Sequence, residues 1–360
     1  MEAPDLAEDP KKGLRIAAIA ALVLAAVLLP LGVQNIFLLH ILIMVFFYAY
    51  MASAWNLLAG FAGQLSFGHA AFAGIGAYIS TLLFIAWGIS PWIGMAVGGL
   101  AATVVSVLVG YPCFRLRGAY YSLVTIAFAE IIRLYVTSTQ RVAGIELKGA
   151  AGLVLPLKGQ APWLFQFDSK VPYYYTILVM LLAVATVGTW VKHSKPGYYL
   201  AAIRDNQDAA EALGVKAARM KLYAAALSGF FTGMGGTFYA QYIMFIDPVS
   251  VLGIDLSVNL VVISVIGGIG TVTGPVLGSF FMTPLSEVTR LYLGSSYAGA
   301  HLVLYGLVLM LVVAFMPRGL WEALVTLEGP ITRWWASARH RGMQVDSLKQ
   351  AARNESRERQ

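Results

Sequence analysis

The stretch from Ile36 to Leu58 reads IFLLHILIMVFFYAYMASAWNLL. Apolar side chains occupy every face at the helical period, and the run is too long and too continuous for an alternating strand. At about 1.5 Å per residue it reaches across a hydrocarbon core of about 30 Å, so it reads as a membrane-spanning helix. Similar runs lie on either side, at Leu14–Val33, Ser66–Trp87, Trp92–Cys113, Ala119–Thr137, Pro172–Val191, Leu222–Phe245, Leu256–Ile269, Pro275–Leu293 and Ala300–Met316. The expectation is an all-α, polytopic transmembrane helical bundle of about ten spans, some of them broken or short.

Composition agrees: hydrophobic residues make up 59% and charged residues 12% of the chain, where a soluble domain carries about a quarter charged residues. A β-barrel would show alternating segments of about ten residues, and none occurs. The run Leu256–Ile269 is short for a span and fits a re-entrant half-helix unless charge parity makes it cross. Lys and Arg favour the cytoplasmic side of short loops. They gather in residues 192–221 and in the tail, at Arg318, Arg333, Arg339, Arg341, Lys349, Arg353, Arg357 and Arg359. Placing both inside requires an even number of crossings between them, which favours ten spans over nine and puts both termini in the cytoplasm. The chain then divides into an N-terminal segment 1–13, a membrane domain 14–317 with its cytoplasmic loop 192–221, and a polar tail 318–360. Lys11, Lys12 and Arg15 also fit the start of a secretory signal, but no small-x-small cleavage site leads into a soluble chain, so a first span is the preferred reading.

The net charge of +7 lies at span ends and in the tail, which suits anionic lipid better than nucleic acid. The single cysteine, Cys113, excludes an internal disulfide framework and a multi-cysteine metal site. No phosphate loop, H-E-x-x-H or G-x-S-x-G motif is present. A non-catalytic chain that binds no cofactor or metal is therefore expected. If its work needs ATP and Mg, partner subunits must use them.

Three polar features interrupt the apolar pattern. The loop KHSKPGYYLAAIRDNQDAAEALGVKAARMK, residues 192–221, holds a segment able to form a short helix around Arg204 to Gly214, with Asp205, Asp208 and Glu211 for docking and Gly214 to end it. A solvated connecting helix is the plainer alternative. The stretch WNLLAGFAGQLSFGHAAFAGIGAYIS, residues 55–80, sets Asn56, Gln64, Ser66 and His69 among glycines, as a broken helix lining a pathway would. Close helix packing explains the glycines more simply. The run GGIGTVTGPVLG, residues 267–278, reads as a turn at a span end, with Gly267, Gly268 and Thr271 as its pathway candidates. The hexapeptide pattern E-x-x-R-L-Y occurs at 130–135 and 287–292, each copy able to neutralise itself as an i, i+3 pair.

The segments 197–222, 56–79 and 262–278 together resemble the permease subunits of branched-chain amino-acid ABC importers of the LivM type. The likeness extends from about Ile36 to Met316. Asp208-Ala209-Ala210-x-x-x-Gly214 is similar to the Glu-Ala-Ala-x-x-x-Gly pattern of importer permeases, with Asp keeping the charge and shortening the reach. The resemblance implies a type II importer-like fold in the inner membrane and a coupling helix that sits in a groove of the ATPase. It also implies a second homologous permease, two cytoplasmic ABC ATPase subunits, and a periplasmic or extracellular substrate-binding protein that carries most of the substrate recognition. The residues alone leave two alternatives. One is an ion-coupled secondary transporter using Glu130, Glu287 and His69; the other is a scaffolding membrane subunit. Within the importer class, urea, short amides or other amino acids remain open as substrates.

Overall fold

The computed structural model describes residues 10–32, 35–116, 118–142, 145–159 and 161–293, together with 303, 306, 307, 310, 311 and 320. The run Ala300–Met316 and the basic tail fall almost wholly outside them, as does the side chain of Arg290. Twelve helices occur among the described residues: α1 (Pro10–Gly32), α2 (Ile36–Ala62), α3 (His69–Trp87), α4 (Pro91–Cys113), α5 (Ala119–Ser138), α6 (Val171–Lys192), α7 (Lys195–Asp205), α8 (Gln207–Ala212), α9 (Ala217–Ile243), α10 (Pro248–Leu252), α11 (Ile254–Gly267) and α12 (Gly274–Leu293). Helices α2 to α6 are each long and apolar enough to cross a membrane. The only strands among the described residues are four of two residues each, β1 (Arg141–Val142), β2 (Ile145–Glu146), β3 (Leu153–Val154) and β4 (Phe245–Ile246).

Helix α2 is the axis of the bundle. It is buried almost continuously from Leu39 to Ala62 and is surrounded by α6, α9, α11 and α12. Its all-round apolarity therefore meets other helices as well as lipid. Helix α5 is the opposite case: it buries only Tyr121, Thr125 and Ala129 and exposes Leu123, Ile131 and Leu134. On its surface Arg133 Nε donates to Glu130 Oε2 at 2.8 Å, so this acid is neutralised by its own helix.

Helix α9 is less apolar than α2 because it packs by close approach. A β-carbon on Gly76 of α3 would lie 2.0 Å from the Gly233 carbonyl oxygen, and one on Gly236 would lie 1.9 Å from the Ala73 carbonyl oxygen. Without a strong hydrophobic drive between helices in lipid, small residues gain stability by bringing backbones together. Hydroxyls then bond across the contacts: Thr237 donates to Gly76 O at 3.1 Å and Ser106 to Ala225 O at 2.8 Å.

The apolar run expected from Ser66 is helical only from His69. Gly63 closes α2 with φ of 68°, and residues 63–68 leave the helix and fold back beside its last turns. Trp55 Nε1 donates to Ser66 O at 2.7 Å, Ser122 Oγ to Leu65 O at 2.7 Å, and Phe67 N to Thr125 Oγ1 at 3.1 Å. Irregular backbone is tolerated at membrane depth when protein groups satisfy it in this way.

Opposite the 192–221 loop, β1 pairs with β2 and β3 pairs with β4, so the 138–170 segment is stitched to the end of α9. Aromatic residues near span ends, as Trp163, Phe165 and Phe167 are, most often anchor at the membrane surface. Phe165 instead is fully buried, with its ring 4.4 Å from that of Trp92 and in edge contact with Phe167, Tyr173 and Phe238. Trp163 remains exposed.

From β4 the chain returns through α10 and α11 to a turn, residues 268–273, that lies beside the end of α2 on the loop side. The short run thus passes from one side of the bundle to the other with α10 as its extension. Gly278 and Gly267 allow α12 to pack tightly back on α11.

Candidate functional site

The polar loop folds into two helices, α7 and α8, where the sequence predicted one from Arg204 to Gly214. Asn206 divides them. Its backbone is extended, with φ of −156° and ψ of 105°. Its N–H closes α7 on Ala202 O at 2.9 Å, while its side-chain oxygen accepts from Ala209 N at 3.1 Å and opens α8. An asparagine suits this double duty because it caps a helix start well and does not extend the preceding helix strongly. Asn206→Ala is expected to destabilise the α8 turn by about 1 kcal/mol, seen as faster amide exchange in residues 207–214 with the bundle unchanged.

Helix α8 ends as the sequence predicted. Val215 N bonds Ala210 O at 3.1 Å and Gly214 N bonds Glu211 O at 2.9 Å, the paired bonds of a Schellman motif. Gly214 takes φ of 87° with open space around it. Its requirement is backbone conformation alone.

The named loop residues do not share one role. Asp205, Asp208, Ala209 and Glu211 are exposed beside Leu213, which is 86% exposed. Ala210 turns inward and packs with Ile203 and Ala217. Arg204 is exposed as well, but its guanidinium reaches back toward the bundle: Nε lies 3.5 Å from Asp205 Oδ1, and Nη1 donates to Gly60 O at 3.1 Å. That carbonyl is among the last of α2, which lack intrahelical partners, and a cation there also favours the helix dipole. A β-carbon on Gly63 would lie 2.9 Å from Arg204 Cγ, and one on Gly270 would lie 2.5 Å from its guanidinium nitrogen. The three glycines form the seat for this side chain.

Four of the residues singled out in the sequence meet at the same place. Asn56 donates to Thr271 O at 2.7 Å and accepts from Gly270 N at 2.9 Å, clamping the turn that Gly267 and Gly268 begin. Thr271 Oγ1 donates to Gly268 O at 2.8 Å and accepts from Gly274 N at 3.0 Å, which starts α12. A continuous polar path therefore runs from α7 through Arg204 and the end of α2 to the α11–α12 turn.

Gln64, Ser66 and His69 form a separate group. His69 is wholly buried, with Nε2 2.7 Å from Ser228 Oγ, and that hydroxyl donates to Ala54 O at 2.7 Å. Ala70 N bonds Ser257 Oγ at 2.9 Å. These bonds join α2, α3, α9 and α11 in one knot. Gln64 is buried within the returning segment, and Ser66 is held by Trp55 and Gly68.

Two residues escaped the sequence reading. Lys221 looks like one more loop cation but is 1% exposed and donates to Gln207 Oε1 at 2.7 Å, fastening α8 to α9. Its signal is position, a lysine entering an apolar run. Asp255 lies one residue before the short run and takes its place on the wall of a cavity. An acid inside the 248–269 stretch was the available clue.

Residues 37–313 match the family described as branched-chain amino acid transport system / permease component. The high-affinity branched-chain amino acid transport system permease protein LivM of Escherichia coli K12 is 25% identical over 291 residues, 76% of this chain and 67% of that protein. LivM of Salmonella typhimurium is 25% identical over 302 residues, 77% of this chain and 68% of that one. The high-affinity branched-chain amino acid transport system permease protein LivH of E. coli K12 is 23% identical over 285 residues, 76% of this chain and 90% of that protein. No solved structure matches.

Proposed function

The chain belongs to the branched-chain amino acid transport permease family, a membership from which we propose that it forms half of the translocation pathway of an ATP-driven importer of leucine, isoleucine and valine. It is a multi-pass membrane permease of a kind that works with other subunits. Its proposed partners are a second homologous permease, two cytoplasmic ABC ATPases that bind ATP and Mg, and a periplasmic or extracellular binding protein, in the inner membrane with both termini cytoplasmic. The family match over most of the chain carries this reading. The exposed acids of α8 above the Arg204 seat support it, because they combine a docking face with a connection into the bundle.

In this proposal ATP binding closes the ATPase pair and displaces α8, and the permease pair changes the side to which its cavity opens. Such coupling requires contacts that differ between the two states. Asp205, Asp208, Ala209 and Glu211 supply the outer contacts, Ala210 and Gly214 set the shape of α8, and Arg204 carries its displacement inward. Asn56, Gly267, Gly268 and Thr271 receive the motion, while Gln64, Ser66 and His69 hold the helices that move.

The direct test is purification of the tagged chain in mild detergent, identification of co-purifying subunits, and ATP-driven uptake of radiolabelled leucine by the reconstituted complex. Purification alone with no ATP hydrolysis, in a detergent that preserves other importers, counts against the reading. Within the complex, Gly214→Val places a β-branched residue at positive φ, at a cost on the order of 1–2 kcal/mol, and is expected to abolish uptake with normal membrane levels. Gly214→Asn should retain more uptake because asparagine tolerates that conformation. Asp208→Lys, which reverses the docking charge, should also abolish it. Wild-type uptake by both the valine and lysine variants would remove the coupling assignment.

A further inference from the structure

A cavity of about 310 Å³ lies where α2, α3, α9, α10 and α11 meet. One wall is polar: Asp255 and Asn259, one turn apart on α11, face it with Ser250 of α10. Phe47 and Leu256 supply apolar surface opposite and beside them. The volume stands at the lower end of small-molecule sites, which run about 300–1,000 Å³.

Depth makes the acid informative. Asp255 is about 18 Å along α11 from its loop-side end at Gly267, at about 1.5 Å per residue. Gly236, on the same cavity wall, lies about 10 Å along α9 from the far-side end at Ile243. The carboxylate thus stands between the two ends of the bundle, and within a membrane-spanning bundle an ionisable group is costly unless it faces water, a partner charge or a substrate. Asp255 is exposed and has no ion pair or hydrogen bond among the described residues. An acid in a first helical turn favours the helix dipole, but that explains neither its exposure at this depth nor its place on a cavity wall beside Asn259.

We propose that this cavity is a station on the translocation pathway for an α-amino acid zwitterion. Asp255 pairs with the ammonium group, Asn259 and Ser250 meet the remaining polar atoms, and Phe47 and Leu256 contact the apolar side chain. The assignment rests on the importer reading above and locates its substrate within this chain.

Two measurements on the full complex test it. In a Cys113→Ser background, Asn259→Cys is labelled with a cationic and an anionic methanethiosulfonate reagent, each rate normalised to a free thiol. The cationic reagent is expected to be preferred by on the order of tenfold, since a neighbouring carboxylate attracts one reagent and repels the other, and Asp255→Asn should erase the preference. Separately, Asp255→Asn is expected to lower ATP-driven leucine uptake by on the order of tenfold or more, with ATP hydrolysis retained and uptake restored by Asp255→Glu. Failure of the Asn259→Cys thiol to react, equal normalised rates for both reagents, or wild-type uptake by Asp255→Asn overturns the proposal alone. Absence of ATP-driven uptake in the unsubstituted complex overturns the importer reading and the proposal with it.

Discussion

Arg204→Ala is expected to lower leucine uptake by on the order of tenfold or more, the range of a coupling free energy of 1–3 kcal/mol, while the complex continues to hydrolyse ATP. The guanidinium links α7 to the end of α2 and the α11–α12 turn, beside the Lys221–Gln207 bond that ties α8 to α9: it bonds Gly60 O and borders Gly63 and Gly270. Alanine leaves the α2 carbonyl without that donor and opens a gap between α7 and the α11–α12 turn. The moving part then loses its grip on the part to be moved. Arg204→Lys keeps the charge but not the planar fork, so it should give an intermediate ratio of leucine moved to ATP hydrolysed. That ratio is the measurement to make, because a purely structural defect would reduce complex yield and leave the ratio of the surviving complexes intact.

Gly76→Leu is expected to prevent folding outright. A β-carbon at this position would stand 2.0 Å from a backbone oxygen of α9, and no rotamer change can relieve a clash with main chain. Helices α3 and α9 would have to separate, losing the Thr237 bond to Gly76 and the packing along their contact. Overpacking of a tight interior costs about 1–3 kcal/mol and sometimes more, and the backbone clash puts this substitution at or beyond the upper end. Little monodisperse protein should be recovered by size-exclusion chromatography in detergent. Gly32→Ala is the control: a β-carbon there meets nothing within 4 Å, and the variant should elute as wild type.

The Glu130–Arg133 pair shows how much of a local feature is legible. The i, i+3 spacing predicted self-neutralisation, and the two side chains meet on the exposed face of α5. This removes Glu130 as a buried ion-coupling acid. His69 shows the limit. Its residue type and apolar surroundings suited either a pathway or a structural role, and only the position of Ser228, far along the chain, places it in an interhelical knot. The same holds for Phe165, which reads as an interfacial aromatic and is packed by residues from α4, α6 and α9.

Features that depend on a residue and its near neighbours were legible along the chain: spans long and apolar enough to cross lipid, a helix stop at Gly214, a turn within 267–278, and the motif that relates the loop to importer permeases. The packing of helices decided that Arg204 reaches the Gly60 carbonyl, that Asn56 clamps a turn more than two hundred residues away, and that Asp255 faces a cavity. The physical reason is the range of the forces involved. Lipid solvation and helix capping act within a segment and leave a pattern in order along the chain. Hydrogen bonds and close backbone contacts between helices depend on which faces meet, and in a chain apolar on every face, periodicity does not say which those are.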